Sequence, residues 1–259
     1  MTETFVFQAA LRDFLRLKRI FIWIVVGLIL FGIAKVFLAV WPSGKADETY
    51  SMLSSLLVFR LLPLASAIFS SAVIGQEVEQ KTIVYLLTRP VQRWKLVLLR
   101  TLASALAVAF VTSVAMVLVS AAVFGNPLAN PLFFSELIAI IVGSLAYGVL
   151  FVYITLLMNK AAMVVCLLFA FAWETAVPNM PGSMSSLSIS TYLSAIAQRP
   201  SALGEGGVGF FGNMANALGI NSFSAQTGWI ILTFIILFFG ALGMWWFSTF
   251  EFLPREDAE

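Results

Sequence analysis

Residues 75–100 read GQEVEQKTIVYLLTRPVQRWKLVLLR, and they separate two long apolar stretches. Glu77, Glu79, Lys81, Arg89, Arg93, Lys95 and Arg100 are gathered here in a chain that is otherwise mostly apolar. The order of chemistry is acidic (Glu77, Glu79), then Thr82, then an apolar patch (Ile83, Val84, Leu86, Leu87), then Arg89-Pro90 and a basic run. Such a pattern predicts a short amphipathic helix stopped by Pro90, which lacks the N–H that a further turn needs. With an apolar stretch on either side, the segment reads as a polar connection between two membrane spans.

Composition supports that reading across the chain. Of 259 residues, 61% are hydrophobic and 11% charged, with a mean hydropathy of +0.98. These values belong to an integral membrane protein. The net charge of +2 and pI near 8.8 reflect Lys and Arg flanking the spans. No domain-sized basic patch exists, so nucleic acid is not an expected partner. Histidine is absent, and the single Cys166 lies in an apolar run, which leaves no disulfide framework and no zinc or iron ligand set.

A window of about twenty residues predicts six spans, Ile20–Trp41, Leu53–Gly75, Leu96–Phe124, Phe133–Met158, Ala161–Val177 and Gly228–Phe250, the fifth being the shortest. An even count puts both termini on one side. Arg12, Arg16, Lys18, Arg19, Lys81, Arg89, Arg93, Lys95, Arg100, Lys160 and Arg255 fall on that side, whereas Lys45 and Arg199 are alone on the other. Both termini are therefore expected in the cytoplasm by the positive-inside rule. Trp23, Trp245 and Trp246 near the inner interface, and Trp41, Trp173 and Trp229 near the outer one, form the aromatic belts this topology requires.

Residues 1–19 are expected to form an amphipathic interface helix. Phe7, Leu11, Phe14 and Leu15 share one face, opposite Arg12, Arg16 and Arg19. The charged lead-in is too long, and an A-x-A-like site too plainly absent before Trp41, for a cleaved signal peptide.

The connection from 75 to 100 resembles the E-x-x-x-G-T-[LI]-x-x-LL-x-x-P-[VI]-x-R signature of the cytoplasmic coupling helix in ABC-2 type permeases, the membrane subunits of ATP-binding-cassette exporters. Glu77, Glu79, Thr82, Ile83, Leu86, Leu87, Pro90, Val91 and Arg93 carry the match. Lys81 stands where the family usually has Gly. The resemblance implies that Glu77, Glu79, Lys81, Thr82, Ile83, Leu86, Leu87, Pro90 and Arg93 couple the chain to a separate ATPase subunit. That subunit would bind ATP and Mg, while this chain binds no cofactor and is not itself an enzyme. The resemblance further implies a second permease subunit in a homodimer, with the first, second and fifth spans lining a central path. It implies an exporter in a prokaryotic cytoplasmic (inner) membrane, and an N-terminal interface helix (Phe7, Leu11, Arg12, Phe14, Arg16) that also touches the ATPase.

The fold expected is therefore an all-α integral membrane protein, one permease domain over residues 1–259. It has six spans, the interface helix over 1–19, a coupling segment over 76–95, and short external helices within 178–227. Two nucleotide motifs fail. Gly44-Lys45 has Ala39 and Ala46 where a P-loop needs Gly and Ser or Thr. Gly204, Gly206 and Gly209 match G-x-G-x-x-G but lie in an external loop without a βαβ unit. In that connection, Tyr192, Leu193, Ile196 and Ala197, and then Phe210, Phe211, Met214, Ala217 and Leu218, recur at helical spacing and predict two short helices. Related permeases carry re-entrant helices at this place.

Lys35, Arg60, Glu136 and Glu174 lie within or at the edges of spans, all in the outer half. Charges at depth pair, snorkel or face water. One reading is a polar outer vestibule where cargo leaves. The other is structural, with salt bridges headed by Arg60 and Glu174, or snorkelling by Lys35 and Glu136. Ser66, Ser70, Ser71, Gly143, Ser144 and Gly148 would let helices approach closely. The apolar outer half favours a lipid-like or amphipathic cargo. The alternatives to a permease are an ion-coupled secondary transporter, which would need a midplane site and inverted repeats, and a membrane scaffold or enzyme, which would need a gathered catalytic cluster.

Overall fold

The computed structural model describes residues 2–15, 17–40, 46–73, 92–126, 128, 130–158, 161–179, 182–198 and 225–249. The described residues form helices and connecting turns: α1 (Thr2–Phe14), α2 (Leu17–Val40), α3 (Ala46–Ser71), α4 (Arg93–Phe124), α5 (Leu132–Leu157), α6 (Ala162–Ala176), α7 (Ile189–Ile196) and α8 (Ala225–Thr249). Five of these, α2, α3, α4, α5 and α8, are long and apolar enough to cross a membrane. The expected fifth span, α6, is shorter. At about 1.5 Å per residue it covers roughly 22 Å, against a hydrocarbon core of about 30 Å. Its limits have local causes. Ala161 takes φ 63°, a left-handed conformation at the start of the helix, and Pro178 lies in a short 3-10 turn at the far end.

Burial ranks the long helices. Over half of the apolar window of α3, α4 and α5 is buried (56% each), against 17% for α2 and α8. The first group is the central bundle; the second flanks it. On α2 the buried stripe is Gly27, Leu30 and Ala34, at helical spacing. A Cβ at Gly27 would sit 3.3 Å from Leu118 Cδ1 and 3.5 Å from the Ala115 backbone, so glycine sets how closely α2 approaches α4. Between α3 and α5 the same device recurs more tightly. A Cβ on Gly143 would lie 2.7 Å from Leu62 Cδ2 and 2.9 Å from Leu193 Cδ1, and one on Gly148 would meet Ala105 at 3.4 Å. These small residues hold three helices together, as their composition suggested.

The termini of the elements follow from sequence. Asp47 and Glu48 occupy the first turn of α3, where the helix dipole favours negative charge. The Asn130 side chain accepts from the Leu132 N–H at 2.9 Å and opens α5. Gly125, at φ 73°, ends α4. α3 begins seven residues before the expected Leu53, and α4 three before Leu96. In both, polar turns too hydrophilic for a hydropathy window continue an apolar helix.

α1 is amphipathic. Ala10 and Phe14 are buried, Phe7, Leu11 and Leu15 half-buried, and Arg12 and Asp13 exposed. This face lies on α4, and the Phe14 ring meets Phe69 at 6.2 Å between centroids. Arg16 lies outside the described residues.

Candidate functional site

Two helices depart from regular α geometry, and both departures carry a charge. In α3, Leu57–Leu61 form a π turn that contains Arg60; in α6, Phe169–Trp173 form another, directly before Glu174. A π turn inserts one extra residue, which swings the following side chains around the helix and leaves a local gap in the hydrogen-bond ladder. The first of these turns faces the residues that directly follow the second. Arg60 Nη1 donates to the Glu174 carbonyl at 3.0 Å. A charged donor thus meets a carbonyl of the irregular stretch between two helices.

The expected side-chain ion pair between Arg60 and Glu174 is replaced by this main-chain contact. The carboxylate of Glu174, itself 1% exposed, is engaged elsewhere. It accepts from Ser188 Oγ (2.6 Å), Ile189 N (3.2 Å) and Ser190 N (3.1 Å). These are the N-terminal groups of α7, so Glu174 caps that helix from outside it. A buried carboxylate is tolerable there because the donors at a helix start carry positive partial charge. Ser188 Oγ also accepts from Ser190 N, at 3.2 Å. At its other end α7 is tied to α5 by Ser135 Oγ, which donates to the Ala197 carbonyl at 3.1 Å. Along its side, a Cβ on Gly228 of α8 would lie 3.0 Å from the Tyr192 carbonyl, so α7 is held by α5, α6 and α8 together. Tyr192 Oη donates to the Ser186 carbonyl at 2.6 Å; burial pushes its phenol up, against that hydrogen bond, and keeps it a donor.

Tyr147 of α5 lies within reach of the fields of both Glu174 and Arg60. Its hydroxyl, with Ser66 Oγ and Ser70 Oγ on α3, is buried without a hydrogen-bond partner among the described residues. A polar patch therefore lies inside the bundle between α3, α5, α6 and α7.

The other two intramembrane charges stand apart from it. Glu136 does not snorkel: it is fully buried at the start of α5 and accepts from Tyr50 Oη of α3 at 2.6 Å. Lys35 is exposed on α2, with its ammonium 5.8 Å from the centroid of the Phe31 ring. Arg60 and Glu174 are thus brought together, whereas Lys35 and Glu136 are not. Tyr50, Tyr147 and Ser188 went unread in the sequence. Tyr50 fell outside the expected span. Ser188, immediately before an apolar helical run, carried a usable N-cap signal.

Of the coupling segment, Glu77, Glu79, Lys81, Thr82, Ile83, Leu86, Leu87 and Pro90 lie outside the described residues, as do the glycines of 204–209 and the second expected external helix. Arg93 is exposed at the first position of α4, so the last three residues of the expected coupling segment, 93–95, form the first turn of that helix. The two ends of the connection are held together. Arg100 Nη1 of α4 donates to the carbonyl of Val73, just beyond α3, at 2.7 Å.

A search of curated proteins returned no match. A family model described as ABC-2 family transporter protein matches residues 12–179. That stretch includes the connection from 74 to 91, both π turns, and Arg60 with Glu174. The match covers well over half of the chain, which thus belongs to the ABC-2 transporter family and is the membrane-embedded part of such a transporter.

Proposed function

We propose that this chain is the permease subunit of an ATP-driven exporter, and that it takes its energy from a separate ATPase docked on residues 76–95. The observation that carries the reading is the Arg100 to Val73 contact at 2.7 Å. A loop whose two ends are pinned together at the base of α3 and α4 passes a push to both helices at once. A loosely anchored loop would absorb it. In this reading both termini are cytoplasmic, two copies of the chain face each other, and α6 completes a six-span topology as a short fifth span. The first, second and fifth spans line the path between the copies.

Motion delivered to α3 reaches its π turn, and Arg60 hands it to α6 and, through Glu174, to α7. The contacts run from the base of α3 and α4 through Arg60 to Glu174 and α7, a route along which a two-state switch would act. ATP and Mg belong to the partner. The cargo is of lipid-like or amphipathic character, consistent with a bundle whose only buried charged residues, among those described, are Glu136 and Glu174.

The test is copurification from native membranes. The intact chain is expected to bring down a nucleotide-binding subunit, and removal of residues 77–87 is expected to abolish that while the chain still inserts. Retention of the subunit by the deleted chain would refute the docking assignment.

A further inference from the structure

Ser66 and Ser70 on α3 and Tyr147 on α5 carry hydroxyls that are buried without a hydrogen-bond partner among the described residues. Elsewhere on the long helices such groups are satisfied locally. Ser54, Thr101, Thr112 and Thr155 each donate to the carbonyl four residues back, at 2.7 or 2.8 Å. Ser71, the neighbour of Ser70, donates to the Ile68 carbonyl at 3.1 Å. Ser66 and Ser70 make no such bond with their own helix.

The three hydroxyls lie along one seam. Gly143 packs on Leu62 and Gly148 lies beside Ser70, so α3 and α5 run side by side in the same direction. Ser66, one turn beyond Leu62, is therefore level with Tyr147, one turn beyond Gly143. At Gly148 the seam is open. A Cβ there would stand 3.4 Å from Ala105 Cβ and 3.9 Å from Ser70 Oγ, both ordinary contacts, so the missing side chain leaves room in front of the Ser70 hydroxyl. On its other side, Tyr147 has the Glu174 carboxylate near enough to act on its phenol, yet beyond direct hydrogen-bond reach. A polar gap of that width is one that water bridges.

We propose that the seam between α3 and α5 is a binding site for ordered water, held by Ser66, Ser70 and Tyr147, with Gly148 providing the room. The chemistry of the donors selects the ligand. Neutral hydroxyls offer a metal cation no compensating charge, and the nearby Glu174 carboxylate is committed to Ser188, Ile189 and Ser190. An apolar ligand would leave all three hydroxyls unsatisfied at membrane depth. Water both donates and accepts, and in a buried site it makes about three hydrogen bonds. At this level α3 and α5 thus meet through a layer that can exchange partners. The site needs neither an ATPase nor cargo, so it stands apart from the function proposed above.

Radiolytic hydroxyl labelling, read by mass spectrometry, marks side chains beside bound water where bulk solvent has no access. In the purified full chain Tyr147 is expected to be labelled, and Tyr50, also buried but bonded to Glu136, is expected to stay unlabelled. Gly148→Ala adds a methyl that makes only ordinary contacts; it is expected to keep the fold and lose the label at Tyr147. Replacing both Ser66 and Ser70 by Ala is expected to lower the melting temperature, because the water loses two partners and Tyr147 is left unpaired. Dry, unpaired hydroxyls would instead be removed without loss or with a gain. An unlabelled Tyr147 in the intact chain, an undiminished label in folded Gly148→Ala, or a melting temperature unchanged or raised by the double serine variant would each overturn the site.

Discussion

At the scale of single residues, the clamp between α3, α6 and α7 rests on one carboxylate and one guanidinium that do not meet as an ion pair. Glu174→Ala would leave the Ile189 N–H without its acceptor in a buried site, with Ser188 Oγ and the Ser190 N–H each losing one of their partners. Breaking such a set costs about 3 kcal/mol, so thermal unfolding in detergent, followed by fluorescence, should move down by several degrees. Because Arg60 holds the carbonyl of Glu174, exchanging the two charges in Arg60→Glu, Glu174→Arg should rescue nothing. Recovery by the double variant would establish a direct side-chain pair and remove the main-chain contact from the account. Hydropathy could tell that both residues are deep, since depth follows from position along a span. Which way each side chain points depends on azimuth, and an extra residue in a π turn resets azimuth without leaving any trace in composition. The same limit hid Tyr50 behind Glu136: the tyrosine lies in a turn too polar to be counted within a span.

Among the helices, close approach at Gly143 decides how α3, α5 and α7 pack. A methyl there would land 2.7 Å from Leu62 Cδ2 and 2.9 Å from Leu193 Cδ1, two side chains with no room to retreat in the core. Gly143→Ala should cost about 1–3 kcal/mol as overpacking. Gly32→Ala, where nothing lies within 4 Å, should be neutral or slightly stabilising. Equal melting temperatures for the two variants would contradict the packing described. At this scale the sequence was largely legible. Long apolar runs gave the five long helices to within a few residues, except that α3 starts seven earlier, and helical spacing gave the buried face of α1 and the position of α7. α6 was legible as apolar and as the shortest run, expected at Ala161–Val177 and found at Ala162–Ala176; the stops at Ala161 and Pro178 act on backbone geometry, which a hydropathy window does not see.

For the molecule as a whole, the account links a polar connection to a buried clamp through helices that share contacts. Arg100 joins the bases of α3 and α4, α3 carries Arg60, and Arg60 and Glu174 carry α6 and α7. Family membership and composition make the chain a transporter's membrane part, and the stretch from Glu77 to Arg93 was readable because its polar and basic residues stand out between spans that exclude them. The contact of Arg100 with Val73 was not readable, since it joins residues on either side of that connection. The claim on which the rest depends is that residues 76–95 touch the ATPase. A photo-crosslinking side chain at Ile83, in the complex as it forms in cells, should give an adduct with a nucleotide-binding subunit, whereas the same group at Leu237, exposed midway along α8, should give none. An intact complex that yields no adduct from position 83 would contradict the account.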